Sequence, residues 1–331
     1  MGLEQAAVMM VCSAAICVAT GPMAIRGLKA MRWIQPIRHE NCPALLPLQQ
    51  AKRGMPTMGG VWVIGVLVAV VAWAGGLATR DGLAVLFGLV GCAMIGCVDD
   101  LLKFRRPNAH GLPGRVKLAA ALGLGAGIAW WVQGAAPGMG VMVLPWTRAS
   151  IHLGWAWLPC AALVIAGSAH AVNLTDGMDG LAAGCLIAAF GALGVWALTG
   201  VPDARQAIVA IWCAAAVGAC LGFLWFNSAP ASVFLGDVGA LGLGGALGVL
   251  ALLANAALAL VIIGGVFVAE AVSVMLQVAS YRWRNKRRIF RVAPLHHHFH
   301  VGGLTEPKLV VRFWIVGAVL AALGITALAR A

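Results

Sequence analysis

The chain has 331 residues, of which 62% are hydrophobic and only 10% are charged, and its mean hydropathy is +0.93. This composition lies far outside the soluble globular range and excludes an ordinary soluble enzyme. The net charge of +12 could suggest a nucleic-acid partner, but the basic residues cluster in loops between apolar segments, which is typical of membrane topology.

Ten apolar segments follow one another along the chain. A helix that crosses a bilayer needs about 20 mostly apolar residues. The segments lie near residues 6–25, 57–78, 82–100, 116–134, 154–173, 178–199, 205–225, 237–255, 257–280 and 309–329. They predict an all-α integral membrane protein with about ten transmembrane helices, folded as a single polytopic domain over residues 1–331.

The basic residues lie mostly on one side of these segments. Of the 23 Lys and Arg residues, 18 fall in the loops after the first, third and ninth segments. By the positive-inside rule these loops face the cytosol, so both termini are predicted to be periplasmic. The loop at residues 135–153, between the fourth and fifth segments, is then periplasmic, and we predict a small β-hairpin in it.

Three aspartate motifs lie at segment ends on the predicted cytosolic side. Asp99 and Asp100 close the third segment, Asp176 and Asp179 lie in the turn before the sixth, and Asp237 begins the eighth. A carboxylate beside hydrocarbon is costly and is interpreted first as functional. Carboxylates from separate helices suit Mg²⁺ and the phosphates bound to it. Each motif alone could be a helix cap or a solvated helix end, so the hypothesis depends on all three sharing one face.

Residues beside the aspartates suit phosphate chemistry. Asp99 and Asp100 form a like-charged pair, so one could act as a base or both could hold a cation. Gly177 and Gly180 allow backbone N–H groups to approach a phosphate at the start of the sixth segment. Asn173 adds a neutral donor and acceptor.

Three consecutive histidines, residues 296–298, lie in the basic loop after the ninth segment. Imidazole binds zinc well, but three adjacent residues cannot easily turn all their rings toward one ion. We favour phosphate binding by imidazole N–H groups beside Arg287, Arg288 and Arg291. A metal site and a loop-stabilising role are the alternatives.

Glu270 is an acidic residue inside the ninth segment. Transporters place ionisable residues near the bilayer midplane, so a cation-coupled transporter is one functional alternative. The aspartates and histidines instead lie at the predicted cytosolic edge. We therefore interpret Glu270 as a structural residue that is hydrogen-bonded between helices.

Six stretches of the sequence resemble one family, the phospho-N-acetylmuramoyl-pentapeptide transferases. In chain order they are QQAKRGMPTMGG, CVDDLLK, AVNLTDGMDGLA, WFNSAPASVFLGDVGALGLGGALG, GGVFVAEAVSVMLQV and RIFRVAPLHHHFHVGGLTEPKLVVRFWIV. The resemblance covers residues 45–318. The wider superfamily of polyprenyl-phosphate N-acetylhexosamine-1-phosphate transferases shares the aspartate motifs, whereas the histidine stretch resembles the muramoyl-pentapeptide branch. Met55 and His170 depart from the family pattern without replacing a residue of the expected site.

The resemblance implies a Mg²⁺-dependent glycosyl-1-phosphate transferase of the bacterial inner membrane, with a cytosol-facing active site. Such an enzyme transfers phospho-N-acetylmuramoyl-pentapeptide from UDP-N-acetylmuramoyl-pentapeptide to undecaprenyl phosphate, giving lipid I and UMP. This is the first membrane step of peptidoglycan synthesis, on which cell shape and division depend. A homodimer is the family expectation. The alternative within the superfamily is an N-acetylglucosamine-1-phosphate transferase that acts on the same lipid carrier.

The resemblance also assigns roles residue by residue. Asp99 matches a proposed base toward the lipid phosphate, Asp100 supports it, and Asp237 matches the aspartate that contacts Mg²⁺. Phe234 matches an aromatic residue that stacks on uracil. The positions that match substrate-binding residues are Lys52, Lys103, Lys117, Asn173, Asp176, Asp179, Asn227, Phe234, Gln277, His296, His297 and His298.

Overall fold

A computed structural model describes residues 1–34, 52, 54–105, 111–133, 140–147, 149–200 and 203–329. These residues are almost entirely helical. The helices are α1 (Leu3–Ala30), α2 (Gly59–Trp73), α3 (Arg80–Arg105), α4 (Gly114–Gln133), α5 (Trp157–Thr175), α6 (Leu181–Thr199), α7 (Ala204–Asn227), α8 (Gly236–Leu253), α9 (Leu260–Ile263), α10 (Gly265–Trp283), α11 (Leu295–Val301) and α12 (Glu306–Ala329). Two short strands, β1 (Val141–Val143) and β2 (Ser150–His152), lie between α4 and α5.

Every predicted apolar segment overlaps a helix, and eight helices among the described residues are long and apolar enough to cross a membrane. The segment at 57–78 yields α2, which has only 15 residues. The segment at 257–280 is not one helix, because the backbone breaks at Gly264 between α9 and α10. The all-helical membrane class is thus supported with eight candidate spans. The count of ten and the periplasmic termini stay predictions.

The predicted β-hairpin is confirmed as an antiparallel pair of three-residue strands. Val141 lies opposite His152, and Val143 lies opposite Ser150. Residues 135–139 and 148 of the predicted loop lie outside the described residues. The side of the membrane on which the hairpin lies stays a prediction.

Helix α8 is the centre of the bundle and is buried along almost its whole length. Small residues let backbones approach closely in membrane helix bundles. A Cβ on Gly60 of α2 would overlap the backbone of Gly239, and a Cβ on Gly96 of α3 would overlap the backbone of Asp237. These contacts hold the first turn of α8 against the last turns of α3.

Successive long helices reverse direction, so particular ends meet at one end of the bundle. The end of α3, the start of α4, the end of α5, the starts of α6 and α8 and the end of α7 contribute polar side chains that contact one another there. At the opposite end, Arg205 at the start of α7 pairs with Asp81 at the start of α3 at 3.0 Å. The fold therefore brings the sequence motifs together at one end.

Candidate active site

Three carboxylates from two helices form what we call the aspartate cluster, namely Asp99, Asp100 and Asp237. One oxygen from each lies within 4.8 Å of the others. Gly236 makes this possible, because its φ of +75° turns the chain sharply just before Asp237. A Cβ on Gly236 would also press on the carboxylate of Asp100. The predicted convergence of these three aspartates is confirmed.

Two lysines neutralise much of the charge of the aspartate cluster. Lys103 Nζ lies 2.6 Å from Asp99 Oδ2, 3.1 Å from Asp100 Oδ1 and 3.1 Å from Asp237 Oδ2. Lys117 Nζ lies 3.4 Å from Asp99 Oδ1 and 3.2 Å from Asp237 Oδ2. Buried carboxylates need such partners, because an unpaired charge away from water is very costly.

Backbone N–H groups also donate hydrogen bonds to the two buried carboxylates. Leu112 N donates to Asp99 Oδ1 at 2.6 Å, and Val238 N donates to Asp100 Oδ2 at 3.3 Å. Asp237 is the most accessible of the three, with 19% of its side chain exposed. It belongs to the first turn of α8 but does not cap the helix, since its carboxylate faces the lysines.

The donor set of the aspartate cluster fits Mg²⁺. Carboxylate oxygens are the ligands that this hard cation prefers, and it keeps open positions for water and phosphate oxygens. The exposed carboxylate of Asp237 is the one that an incoming ion reaches from the cleft. Asp99 and Asp100 are buried behind it.

A second group of charges, which we call the Lys52 cluster, contains Lys52, Asp179 and Glu306. Lys52 Nζ lies 2.5 Å from Asp179 Oδ1 and 2.6 Å from Glu306 Oε1. Asp179 N donates to Glu306 Oε1 at 2.8 Å, and Ala231 N donates to Asp179 Oδ2 at 3.0 Å. The ammonium also lies 5.7 Å from the ring centroid of Phe234. An aromatic face beside paired charges suits a planar, polar ring such as a nucleobase.

Asp176 lies between the two clusters. Burial, together with the nearby charges of Asp237 and Asp100, raises the pKa of its carboxyl to about 7, and Lys52 opposes this shift. Asp176 is therefore partly protonated near neutral pH. Asn173, just before it on α5, places its amide beside Asp237.

The three histidines lie on α11, and each ring has different partners. His296 is fully buried against Gly177. Burial and the neighbouring His296 and His300 lower the pKa of His297 to about 3, so this ring is neutral at physiological pH. His298 Nδ1 accepts a hydrogen bond from Arg291 N at 3.1 Å. Successive helical residues point about 100° apart, which explains why the three rings divide in this way.

Comparisons with known proteins identify the family. A family model described as Glycosyl transferase family 4 matches residues 82–255. Phospho-N-acetylmuramoyl-pentapeptide-transferases of Thermodesulfovibrio yellowstonii and Geobacter sp. are each 44% identical over 93% of this chain and 88% of the relative. That of Syntrophus aciditrophicus is 40% identical over 95% of this chain and 89% of the relative. The chain belongs to the phospho-N-acetylmuramoyl-pentapeptide-transferase family.

The family match and the geometry coincide at the aspartate cluster. All three of its carboxylates, together with Lys103 and Lys117, lie inside the matched range of the glycosyl transferase model. Lys52 and the three histidines lie outside that range, and the fold brings Lys52 to Asp179, which lies inside it. In this chain a residue that precedes the matched range therefore contacts one of its aspartates.

Two amides expected to bind substrate are hydrogen-bonded to backbone in the structure. Asn227 Oδ1 accepts from Gly180 N at 3.0 Å, and its Nδ2 donates to Val233 O at 2.8 Å. Gln277 Oε1 accepts from Ile289 N and Phe290 N, both at 3.0 Å. These amides hold loops at the edge of the cleft. Their contact with substrate stays a prediction.

Sequence reasoning missed Glu306, which ties Lys52 to the backbone of Asp179. The sequence shows it only as an acidic residue in the first turn of the last helix, where carboxylates are common because of the helix dipole. The predicted hydrogen bonding of Glu270 between helices is observed, since this buried residue of α10 accepts hydrogen bonds from α11.

Proposed function

We propose that the chain transfers phospho-N-acetylmuramoyl-pentapeptide from UDP-N-acetylmuramoyl-pentapeptide to undecaprenyl phosphate, giving lipid I and UMP. The reaction takes place in the bacterial inner membrane, with the cleft facing the cytosol, and is the first membrane step of peptidoglycan synthesis. Relatives with 44% identity carry the name of this activity. The observation that carries the proposal is the aspartate cluster with its two lysines, at the end of the bundle where the polar motifs meet.

In this reaction an oxygen of the lipid phosphate attacks the β-phosphorus of the nucleotide sugar. The bond from that phosphorus to the bridging oxygen breaks, and UMP leaves with the bridging oxygen. We favour direct displacement over a covalent enzyme intermediate. A phosphate monoester has a second pKa of about 6, so the acceptor is already largely dianionic at neutral pH. Asp99 therefore has little proton to remove and acts mainly by holding Lys103 and Lys117, whose ammonium groups orient the acceptor phosphate.

The lysines directly, and the aspartates through a bound cation, would stabilise the negative charge of the phosphates. Asp237 would hold Mg²⁺, with Asp99 and Asp100 behind it, and the bound ion supplies positive charge at the diphosphate oxygens. Lys103 and Lys117 each contact more than one carboxylate, so their ammonium groups can also bind phosphate oxygens without leaving the cluster. Preorganised positive charge of this kind stabilises the charge that develops in transfer.

The Lys52 cluster and Phe234 form the nucleotide end of the cleft. Phe234 offers its ring face to uracil, and Lys52 and Asp179 offer a cation and a carboxylate at its edge. The histidines of α11 line the same side, because the charge of Lys52 contributes to the lowered pKa of His297.

The family expectation of a homodimer is included in the proposal, and the mass of the purified protein in detergent tests it.

The decisive experiment measures UMP release by the purified protein with undecaprenyl phosphate. We expect release with UDP-N-acetylmuramoyl-pentapeptide and Mg²⁺, and none after chelation of the metal. Release with UDP-N-acetylglucosamine alone would instead identify an N-acetylglucosamine-1-phosphate transferase. Substrate flux into sealed vesicles without UMP would identify a transporter.

A further inference from the structure

A buried ionisable pair, Glu270 and His296, lies outside both charge clusters. Neither side chain has any solvent exposure. Glu270 comes from α10, and His296 lies in the first turn of α11. A carboxylate without access to water is costly unless hydrogen bonds and a counter-charge compensate for the lost hydration.

Glu270 holds both the backbone and the ring of His296. His296 N donates to Oε1 at 3.1 Å and to Oε2 at 3.3 Å, and ring Nδ1 lies 3.1 Å from Oε2. The backbone N–H of His296 makes the hydrogen bonds, whereas the Nδ1–Oε2 approach is a close contact without a hydrogen bond. Together these contacts hold the first turn of α11, with the His296 ring, against α10.

The Nε2 edge of the ring faces Gly177. A Cβ on residue 177 would overlap Nε2, so only glycine permits the contact. Both ring nitrogens are buried, and neither has a hydrogen-bond partner among the residues that the structure describes. Gly177 lies in the turn between α5 and α6, next to Asp176 and two residues before Asp179. The ring thus packs against the segment that joins the aspartate cluster to the Lys52 cluster.

We propose that Glu270 is a positioning residue for the phosphotransfer. By fixing the His296 ring, it sets the turn at residues 176–179 and so the spacing between the two clusters. The inference depends on the proposed function of the cleft. Without the Glu270 carboxylate, the ring can move away from Gly177, and misplacement of a catalytic segment by about 1 Å can cost about a hundredfold in rate.

The first test is Glu270→Gln. The carboxamide keeps the size of the side chain, but one of the two oxygens that accept from His296 N becomes an NH₂ group, which only donates. We expect kcat for UMP release to fall between about tenfold and about a hundredfold. We also expect the ring ¹⁵N signals of His296 to shift, because the contact between Nδ1 and Oε2 changes. The signals are assigned by their loss in His296→Gln.

The second variant, Gly177→Ala, approaches the same contact from the other side. Its methyl group displaces the ring while the Glu270 carboxylate is unchanged, so we expect kcat to fall in this variant too. Because both substitutions break one linked contact, the double variant should lose little more than the worse single variant. If Glu270→Gln does not fold, Gly177→Ala decides alone, and full turnover in that variant overturns the proposal.

Ser273→Ala is the matched control. Ser273 is buried on α10 and donates to Glu270 O at 2.7 Å, but the contacts of the Glu270 carboxylate do not involve it. We expect its kcat to stay within about twofold of wild type. Wild-type turnover in Glu270→Gln, or lost turnover with unchanged histidine signals, overturns the inference. The histidine signals are measured on the resting protein, so a failure of the proposed function is seen separately, as absence of UMP release by wild type.

Discussion

The two ends of α3 carry charge in different ways. At its start, Asp81 pairs with Arg205 of α7 at 3.0 Å, one acid with one base. At its end, the aspartate cluster contains three carboxylates and contacts two lysines, so among the described residues its acids outnumber its bases. Both ends are largely buried, yet among the described residues the acidic and basic side chains are equal in number only at the start of α3.

This difference indicates where function lies. A balanced, partly buried pair satisfies itself and needs no other ligand. A buried excess of carboxylate is relieved by a further cation or by a proton, and a bound Mg²⁺ can hold phosphate oxygens. The end of α3 therefore fits the binding site that we propose, whereas the start of α3 is a packing contact.

The largest expected effect comes from Asp237→Asn, which removes the accessible carboxylate of the unbalanced end. Mg²⁺-supported UMP release should fall by at least about a thousandfold, because the metal loses its ligand at the reacting phosphates. The protein should remain folded in detergent, as its thermal unfolding will show. Asp81→Asn, at the balanced end of α3, is the control and should keep turnover within about twofold. Wild-type activity in Asp237→Asn would remove this residue from the site.

Glu306→Gln should have the next largest effect. The amide keeps the shape but loses the charge that pairs with Lys52, and hydrogen bonds to charged groups are about twice as strong as neutral ones. We expect KM for the nucleotide sugar to rise about tenfold while kcat changes by less than about threefold. The control is Glu4→Gln, which removes another glutamate from the first turn of a long helix. A fall in kcat at unchanged KM would place Glu306 with the phosphates instead.

A smaller effect concerns acid stability. The pKa of His297 is lowered to about 3 in the folded protein, against about 6.5 when unfolded. Between these values the unfolded chain binds the extra proton, so the folded state loses stability as pH falls from 6.5 toward 3. Glu, Asp and other His residues also titrate there, so the measurement is the difference in Tm between wild type and His297→Gln. The variant should lose less Tm between pH 7 and pH 5, and an equal loss contradicts the prediction.

The smallest effect is expected from the balanced end itself. Asp81→Asn should lower the free energy of unfolding by about 1 kcal/mol, the usual scale of a single ion pair near water. Denaturant unfolding in detergent measures it, and high salt should reduce the difference between variant and wild type. A loss comparable to that of a core substitution would mean that the two ends of α3 are less different than their charges indicate.

Much of the fold could be predicted from the sequence. Apolar segments of spanning length must be helical in a bilayer, because backbone groups there find no water. The alternation of basic and neutral loops then places the aspartate motifs at one end of the bundle, where the structure brings three of the five aspartates together. Family resemblance pointed to the residues around them.

The contacts of particular side chains could not be predicted. Glu306 meets Lys52 across 254 positions of the chain, and no local pattern reports such a pairing. Gln277 was expected to line the cleft, but its amide is held by the backbone of residues 289–290, since loop backbone also needs partners. The break at Gly264 was missed because hydropathy averages over a segment and does not see a single backbone turn.

The enclosed position of α8 has a consequence for how the protein is made. Its main neighbours, α2, α3 and α5, all precede it in the chain, and chains are synthesised from the N-terminus. When α8 leaves the ribosome, the three helices that surround it have therefore already been synthesised. A chain that ends before residue 236 would lack the helix that fills the space between them.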